Sequence, residues 1–391
     1  MELVYSDVVF VGYEKYYTKK CRHFGFFVAP APGLLGTLRG GVDLLGTMKK
    51  ARKLFIGSFD NITTTENLLT AWRAFKRSKS KKLDVQEFER HLIENLVSLQ
   101  LDLQNGSYRH GGYQAFKIND PKPRDIHKAL VRDRVVHHLL YLALAPFFFQ
   151  IFITDSYSCQ LGKGTHKALD RFTKFSSVVS KNNTKQCFVL KCDIRKFFAT
   201  IDHEILQSIL ESRICDKRLL ALIRVVVESF TSGVEGKGLP LGNLTSQLLV
   251  NMYMHEFDVY IKQTLKVPYY IRYADDFVVL SPDKDALVKI LCEMSVFLRD
   301  KLRLTMHPDK VSINTFASGV DFLGWVHFPN QRVLRTVTKK RLCRKLVNSD
   351  FDQTVVQSYF GLLKHGDTHK LLTEIRNSLD NTIIKRCLKP K

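Results

Sequence analysis

Downstream of residue 63 the chain alternates between two patterns: apolar side chains at helical spacing, and short contiguous apolar runs bounded by turn residues. Thr64, Thr65 and Glu66 precede Asn67–Phe75, an arrangement that satisfies the free amides of a helix's first turn. Apolar positions Val85, Phe88, Leu92, Leu96 and Leu99 predict one helix ending at Asn105-Gly106. A short strand is predicted through Phe116-Lys117-Ile118, and a helix over Lys167–Val179. The run Cys187–Ile194 reads as a strand, residues 203–230 as helices, and Leu244 to Leu265 as another helix. Apolar runs on either side of Ala274-Asp275-Asp276 predict a hairpin over 269–281, and Thr336 to Lys391 reads as helical and basic. Strand pairs separated by helices, with no Pro/Ser-rich linker, predict a mixed α/β (α+β) fold of contiguous subdomains.

Composition narrows the classes. At 391 residues, 45% hydrophobic and 11% aromatic, the chain can bury a sizeable core, which excludes global disorder. Its net charge of +22 points to a polyanionic partner, with nucleic acid the first candidate and a ribosomal or membrane surface the alternatives. Eight cysteines scattered without a CxxC pair suggest neither a zinc knuckle nor a disulfide framework, and fit a reducing, cytoplasmic setting. The start lacks a basic segment followed by an apolar one, so no secretory signal is read. The greasiest stretch, Leu139–Ile153, contains Pro146 and Gln150 and is shorter than the ~20 residues a bilayer span needs. It is expected to be a buried helix of a soluble protein, with no membrane partner.

Chemistry is suggested by carboxylates. Asp193 closes the apolar strand Phe188–Cys192, and Asp275-Asp276 lie between Tyr269-Tyr270-Ile271 and Phe277–Leu280. Alone, Asp-Asp is an ordinary solvated turn. Brought to one point, three carboxylates repel one another unless cations neutralise them, and hard oxygen ligands suit Mg²⁺. Two such ions can clamp both oxygens of a phosphoryl transfer. The Gly162-Lys163-Gly164 turn lacks the rest of a P-loop framework. The six basic residues between Arg73 and Lys82 fit either a solvated helix end or a phosphate contact.

These residues carry a resemblance. Tyr273-Ala274-Asp275-Asp276 resembles the YxDD box of reverse transcriptases, and Asp193–Phe198 their first aspartate motif, with an aromatic five residues on. The ordered set FKINDPKPRDI, DSYSCQLGKGTHKA, GLPLGNLTSQLLVNMYMHEFD, LTMHPDKVSI, VDFLGW and QSYFGLLKH extends it over about 115–365. Gly242-Asn243-Leu244-Thr245-Ser246-Gln247 resembles the block of reverse transcriptases of diversity-generating retroelements, where most relatives end in Ser-Pro. Group II intron and retron enzymes are the next most similar, but the retron NAxxH and VTG signatures are absent. No maturase, endonuclease or RNase H domain is expected after Lys391.

The resemblance implies a right-hand polymerase: an extension of unassigned role over 1–54, fingers and palm over 55–330, and a basic helical thumb over 331–391. It implies two Mg²⁺ ions as cofactors, held by Asp193 and Asp275 with Asp276 as a third carboxylate. Lys122 and Arg124 would grip the triphosphate of a dNTP, and Phe198 would lie under the incoming sugar. Leu241 stands where many relatives carry Gln, which implies relaxed fidelity; Gly242, Asn243, Ser246 and Gln247 belong to the same substrate-binding block. Asn243 is also expected to cap the helix from Leu244. Lys310 falls where relatives place a lysine near pyrophosphate, as a general acid or a paired surface lysine. Tyr273, Gly324 of a primer-grip hairpin, and Lys339, Lys340 and Arg341 would contact nucleic acid. Gln160 departs from the usual Arg. The implied partners are template RNA, the RNA–cDNA duplex and a small basic accessory protein, in the cytoplasm, with the enzyme prokaryotic or phage-encoded. A defence-associated, retron-like or group II intron-like reverse transcriptase, and an inactive RNA-binding scaffold, are the alternatives.

Overall fold

The computed structural model describes residues 53–118, 123–349 and 352–377; the extension up to residue 52 and Lys122 lie outside the described residues. Helix α1 (Thr65–Lys76) starts as expected, with Thr64 Oγ1 accepting from the Asn67 amide at 3.3 Å. The single helix expected over 83–105 is two, α2 (Leu83–Arg90) and α3 (Leu92–Gln104), broken at His91. Asn95 Nδ2 donates to the Phe88 carbonyl across the break at 3.0 Å, satisfying an acceptor the interruption frees. The apolar stripe survives because the interruption is only one residue long.

The predicted strand at 116–118 is longer and paired. Strands β1 (Tyr113–Ile118) and β2 (Arg124–Ala129) form an antiparallel ribbon in register Tyr113↔Ala129 to Ile118↔Arg124. The following α4 (Val131–Ile151) contains Pro146 and is buried on nearly every side, so it reads as the core helix its composition suggested. It is also the one helix among the described residues long and apolar enough to cross a membrane, although most of it is covered by protein. Helix α5 (Thr165–Val179) leads to β3 (Phe188–Asp193), and then come α6 (His203–Glu211), α7 (Lys217–Glu228) and α8 (Leu244–Val259), which runs on as a π-turn to Thr264.

A four-stranded sheet has the order β4-β5-β3-β6, all antiparallel, with β4 Tyr270–Tyr273, β5 Asp276–Ser281 and β6 Ser312–Thr315. Side chains alternate across a strand, and both faces here are covered. Leu190, Cys192, Phe277 and Val279 enter the main core with α8 and α9 (Lys284–Leu302), whereas Val189, Val278 and Leu280 pack with Phe172 and Phe175 of α5. Double burial is why β5 reads as a contiguous apolar run rather than an alternating one. A second sheet, β7 (Val320–Phe322), β8 (Trp325–His327) and β9 (Arg332–Leu334), leads into α10 (Thr336–Asn348) and α11 (Gln353–Leu363). These helices share a small core of Leu342, Leu346, Val356 and Leu363 with Leu371 and Ile375 of helical residues 369–377. Helices around antiparallel sheets give the mixed fold class expected of a right-hand polymerase.

Candidate active site

Three strand ends converge. Register pairs Asp193, the last residue of β3, with Asp276, the first of β5. Asp275 lies in the two-residue turn between β4 and β5, where its carbonyl accepts from the Ile194 amide at 3.3 Å. Ala274 opens that turn at φ 56°, a left-handed conformation that favours glycine, so the turn stores strain at the point where the acids meet. Burial and the Asp193 charge push the Asp275 carboxyl up to about 6, with Lys310 and Arg124 pulling the other way. Burial also raises Asp276, to about 7; Asp275, Asp193 and Asp321 add to the rise and Lys191 opposes it. Asp276 Oδ1 is buried without a hydrogen-bond partner.

Lys310 Nζ donates to both Asp193 oxygens, at 2.9 Å each. Among the described residues no three His, Cys, Asp or Glu side chains form a ready-made metal cluster. The donor set nevertheless fits divalent cations: hard oxygens, carboxyls whose ionised form burial and mutual repulsion penalise until a cation compensates them, and an orphaned carboxylate atom. The lysine supplies the positive charge on Asp193 in the bare protein.

The residues expected to bind the nucleotide are tied to one another through backbone bonds. Phe197 is buried and Phe198 half-buried against the main core, the two rings meeting edge-on with centroids 5.6 Å apart. The Phe198 carbonyl accepts from the Leu239 amide at 2.8 Å, tying it to the turn that carries 241–247. That turn is fixed in turn to the β1–β2 ribbon: the His127 amide donates to the Leu241 carbonyl at 3.0 Å. Gly242 has φ 101°, and a Cβ there would sit 2.8 Å from Ile126 Cγ2 of β2, so both conformation and close approach require glycine. The capping role expected of Asn243 is not observed. It occupies the N-cap position of α8 without a side-chain cap bond, and its Nδ2 donates instead to the His127 carbonyl at 3.0 Å. The ribbon's carbonyl competes successfully for the amide. Ser246 is buried and Gln247 half-buried in the first turn of α8, and Arg124 is exposed at the start of β2.

Other expected residues separate into two groups. Tyr273 is half-buried against the α5 side of the sheet, and its hydroxyl accepts from Thr165 Oγ1 at 3.2 Å. Lys163 does not present itself to a phosphate: Nζ donates to the carbonyls of Ile153, Thr154 and Ser156 and braces its own loop. Gln160 is buried, with Nε2 on the Ser156 carbonyl at 2.9 Å. Leu323 and Gly324 (φ 49° and 85°) make the two-residue β7–β8 turn, a conformation with both φ positive that explains the glycine, and open space surrounds its Cα. Lys339 and Lys340 are exposed on α10 and Arg341 half-buried; Lys339 lies 3.8 Å from Glu374. The paired histidines of α4 are packing residues, but His137 is linked to His110, whose neighbour is Asp133, and to Thr245 of α8.

The reverse transcriptase (RNA-dependent DNA polymerase) family model matches residues 119–327, more than half of the chain. The chain belongs to the reverse transcriptase family. Protein YkfC of Escherichia coli K12 is 25% identical over 308 residues, 67% of this chain and 80% of that protein. Group II intron-encoded protein LtrA of Lactococcus lactis subsp. cremoris is 21% identical over 318 residues, 63% of this chain and 51% of LtrA. The structure of apo telomerase from Candida tropicalis, truncated from the C-terminal domain, gives a TM-score of 0.41 at 14% identity, covering 60% of this chain and 58% of that one. The span matched to reverse transcriptases contains the three aspartates, Arg124, Phe198, the 241–247 block, Lys310 and Gly324, whereas Lys339, Lys340 and Arg341 lie beyond it.

Proposed function

We propose that this reverse transcriptase copies a template-repeat RNA of a diversity-generating retroelement into cDNA, with errors concentrated opposite template adenines, and that the cDNA replaces a variable repeat in a target gene. The observation that carries this reading is the 241–247 block, which is held against the fingers ribbon with an aliphatic Leu241 at its head. An aliphatic side chain cannot hydrogen-bond a mispositioned sugar or base, so discrimination falls to packing alone.

The chain's residues would divide the work as follows. Asp193 and Asp275 would hold divalent ions, two Mg²⁺, which would supply charge compensation for nucleotidyl transfer. Asp276 adds negative potential from beneath. The Phe198 face sets the floor for the incoming sugar, and Arg124, with Lys122, neutralises the triphosphate. Lys310, which donates to both Asp193 oxygens, would be the group placed to give a proton to pyrophosphate. Lys310→Met is accordingly expected to lower the single-turnover extension rate by roughly 10²-fold. An unchanged rate would make the lysine a surface ion pair only.

Template RNA, its cDNA duplex, dNTPs and a small basic accessory protein are the proposed partners, in the cytoplasm, with the enzyme prokaryotic or phage-encoded. The test is primed cDNA synthesis on mixed-sequence RNA, with errors tallied by template base. Errors enriched at adenine support the reading, and Leu241→Gln is then expected to reduce them roughly tenfold, within the ~1–3 kcal/mol range of a single pocket contact. Accurate cDNA would favour a group II intron-like enzyme, a second reading supported by the similarity to LtrA, or a retron-like defence enzyme.

A further inference from the structure

One buried arginine reaches the strained catalytic turn. Arg272 of β4 is fully buried, and its guanidinium is saturated. Nε and Nη2 donate to the two oxygens of Asp258, on α8, at 2.7 and 2.6 Å. Nη2 also reaches Ser156 Oγ at 3.1 Å, and Nη1 reaches Asn251 Oδ1 at 3.1 Å. The remaining bond is the informative one: Nη1 donates to the carbonyl of Ala274, again at 3.1 Å.

Ala274 is the residue at φ 56° that sends the chain into Asp275. A left-handed alanine persists only where its surroundings hold it, and a carbonyl bonded to a fixed donor is such a restraint. The donor is fixed twice over. The Arg272 amide donates to the Asp155 carbonyl at 3.0 Å, and its own carbonyl accepts from Tyr157 at 2.9 Å, so the backbone is locked to the 155–157 loop. The Asp258 carboxylate, which also accepts from Tyr270 OH at 2.8 Å, locks the other end. Arg272 touches no reacting atom, since it lies wholly beneath the turn.

We infer that Arg272 is a positioning residue for catalysis: with Asp258 and Asn251 it clamps the Ala274 carbonyl and thereby sets where the Asp275 carboxylate points. A planar fork makes this possible, because one guanidinium spans Asp258, Asn251, Ser156 and Ala274 at once, and an ammonium cannot. The inference rests on the polymerase reading of Asp275.

The test compares three variants with wild type in primer extension and thermal melting. Arg272→Lys keeps the charge opposite Asp258 but cannot span to Ala274. It is expected to lose kcat by roughly 10-fold to 10²-fold, the scale of an ångström-sized misplacement, with dNTP KM and primer–template Kd within about threefold. Tyr270→Phe removes a bond from the same buried carboxylate without touching the turn. It is expected to melt earlier at unchanged kcat, which separates positioning from stability. In an Ala274→Gly background the left-handed turn is no longer strained, so the Arg272→Lys loss should shrink at least threefold. Should Arg272→Lys fail to fold, Asn251→Ala, which frees one side of Nη1 and keeps the ion pair, is expected to lose kcat about threefold to tenfold. Unchanged kcat in Arg272→Lys or in a folded Asn251→Ala, a loss undiminished by Ala274→Gly, or equal kcat losses in Tyr270→Phe would overturn the inference. A wild type that extends no primer would overturn the polymerase reading and this inference with it.

Discussion

Asp275→Asn is expected to abolish most primer extension and, in the same molecule, to stabilise the metal-free fold. The rate loss should be roughly 10²-fold or more, because the lost charge acts mainly on the transition state of nucleotidyl transfer. Stability moves the other way because of where the carboxylate sits. Its folded value is about 6, against an ordinary 3.8 in the unfolded chain, with burial as the first cause and Asp193 as the second. A raised carboxyl means that the folded state holds its proton more tightly than the unfolded state does. Below about pH 4 both states are protonated and nothing is lost. Between about pH 4 and 6 the unfolded chain ionises first, and folding stability falls by an amount on the order of 3 kcal/mol.

That penalty is full at neutral pH unless cations compensate it. Melting curves in EDTA should therefore show wild type losing stability from pH 4 to 7 and Asp275→Asn following a flatter profile, several degrees higher at pH 7.5. Adding Mg²⁺ should raise the wild-type midpoint and leave the variant's nearly unmoved. Asp276→Asn should share the flattening, its own window running from about pH 4 to 7. A variant that melts below wild type in EDTA would mean that Asp275 supports the turn structurally, and would remove the electrostatic account of its burial.

What could be read in the sequence is what local pattern encodes. Strand β3 and the β4–β5 hairpin are contiguous apolar runs between turn residues, so their type followed from local pattern, whereas the grouping of Asp193 with Asp275 and Asp276 came from the resemblance to reverse transcriptase motifs. Strand β2 was not legible: Arg124–Ala129 is mostly polar, is exposed only at its first two residues and owes its extended form to pairing with β1. Asn243 illustrates a different limit. Its position before α8 was right for a cap, but its amide is claimed by a carbonyl 116 residues away, which no local rule contains. Arg272 is hidden for the same reason. In sequence it is one cation in a hairpin, and only the fold places Asp258, Asn251 and Ser156 around it. The residues missed are those whose partners come from distant elements.

Long-range contact also sets the second large effect, where the C-terminal helices meet the β7–β9 sheet. A Cβ on Gly366 would lie 2.0 Å from Trp325 Cζ3 and 2.7 Å from the Arg332 carbonyl. Neither neighbour can yield: the Trp325 ring is fully buried, and the carbonyl belongs to β9. The segment is pinned there by the Asp367 amide on that same carbonyl at 2.7 Å, by the Arg332 guanidinium 5.7 Å above the Trp325 ring, and by His365 stacked on His166 of α5 at 3.4 Å. Gly366→Ala must therefore lift the 365–368 segment from β8 and β9, at an overpacking cost of about 1–3 kcal/mol. Since α10, with Lys339 and Lys340, shares the small C-terminal core with residues 369–377, the lysines move with it. Primer–template Kd is expected to rise about tenfold, the equivalent of ~1.4 kcal/mol, with a shallower salt dependence as phosphate contacts are lost. The single-turnover rate at saturating duplex should stay within about threefold, because the three aspartates are untouched. Fluorescence anisotropy across a salt series, paired with single-turnover extension, separates the two quantities. Unaltered duplex affinity would detach Gly366 and its tryptophan from nucleic-acid binding and leave the docking of the C-terminal helices a matter of stability alone.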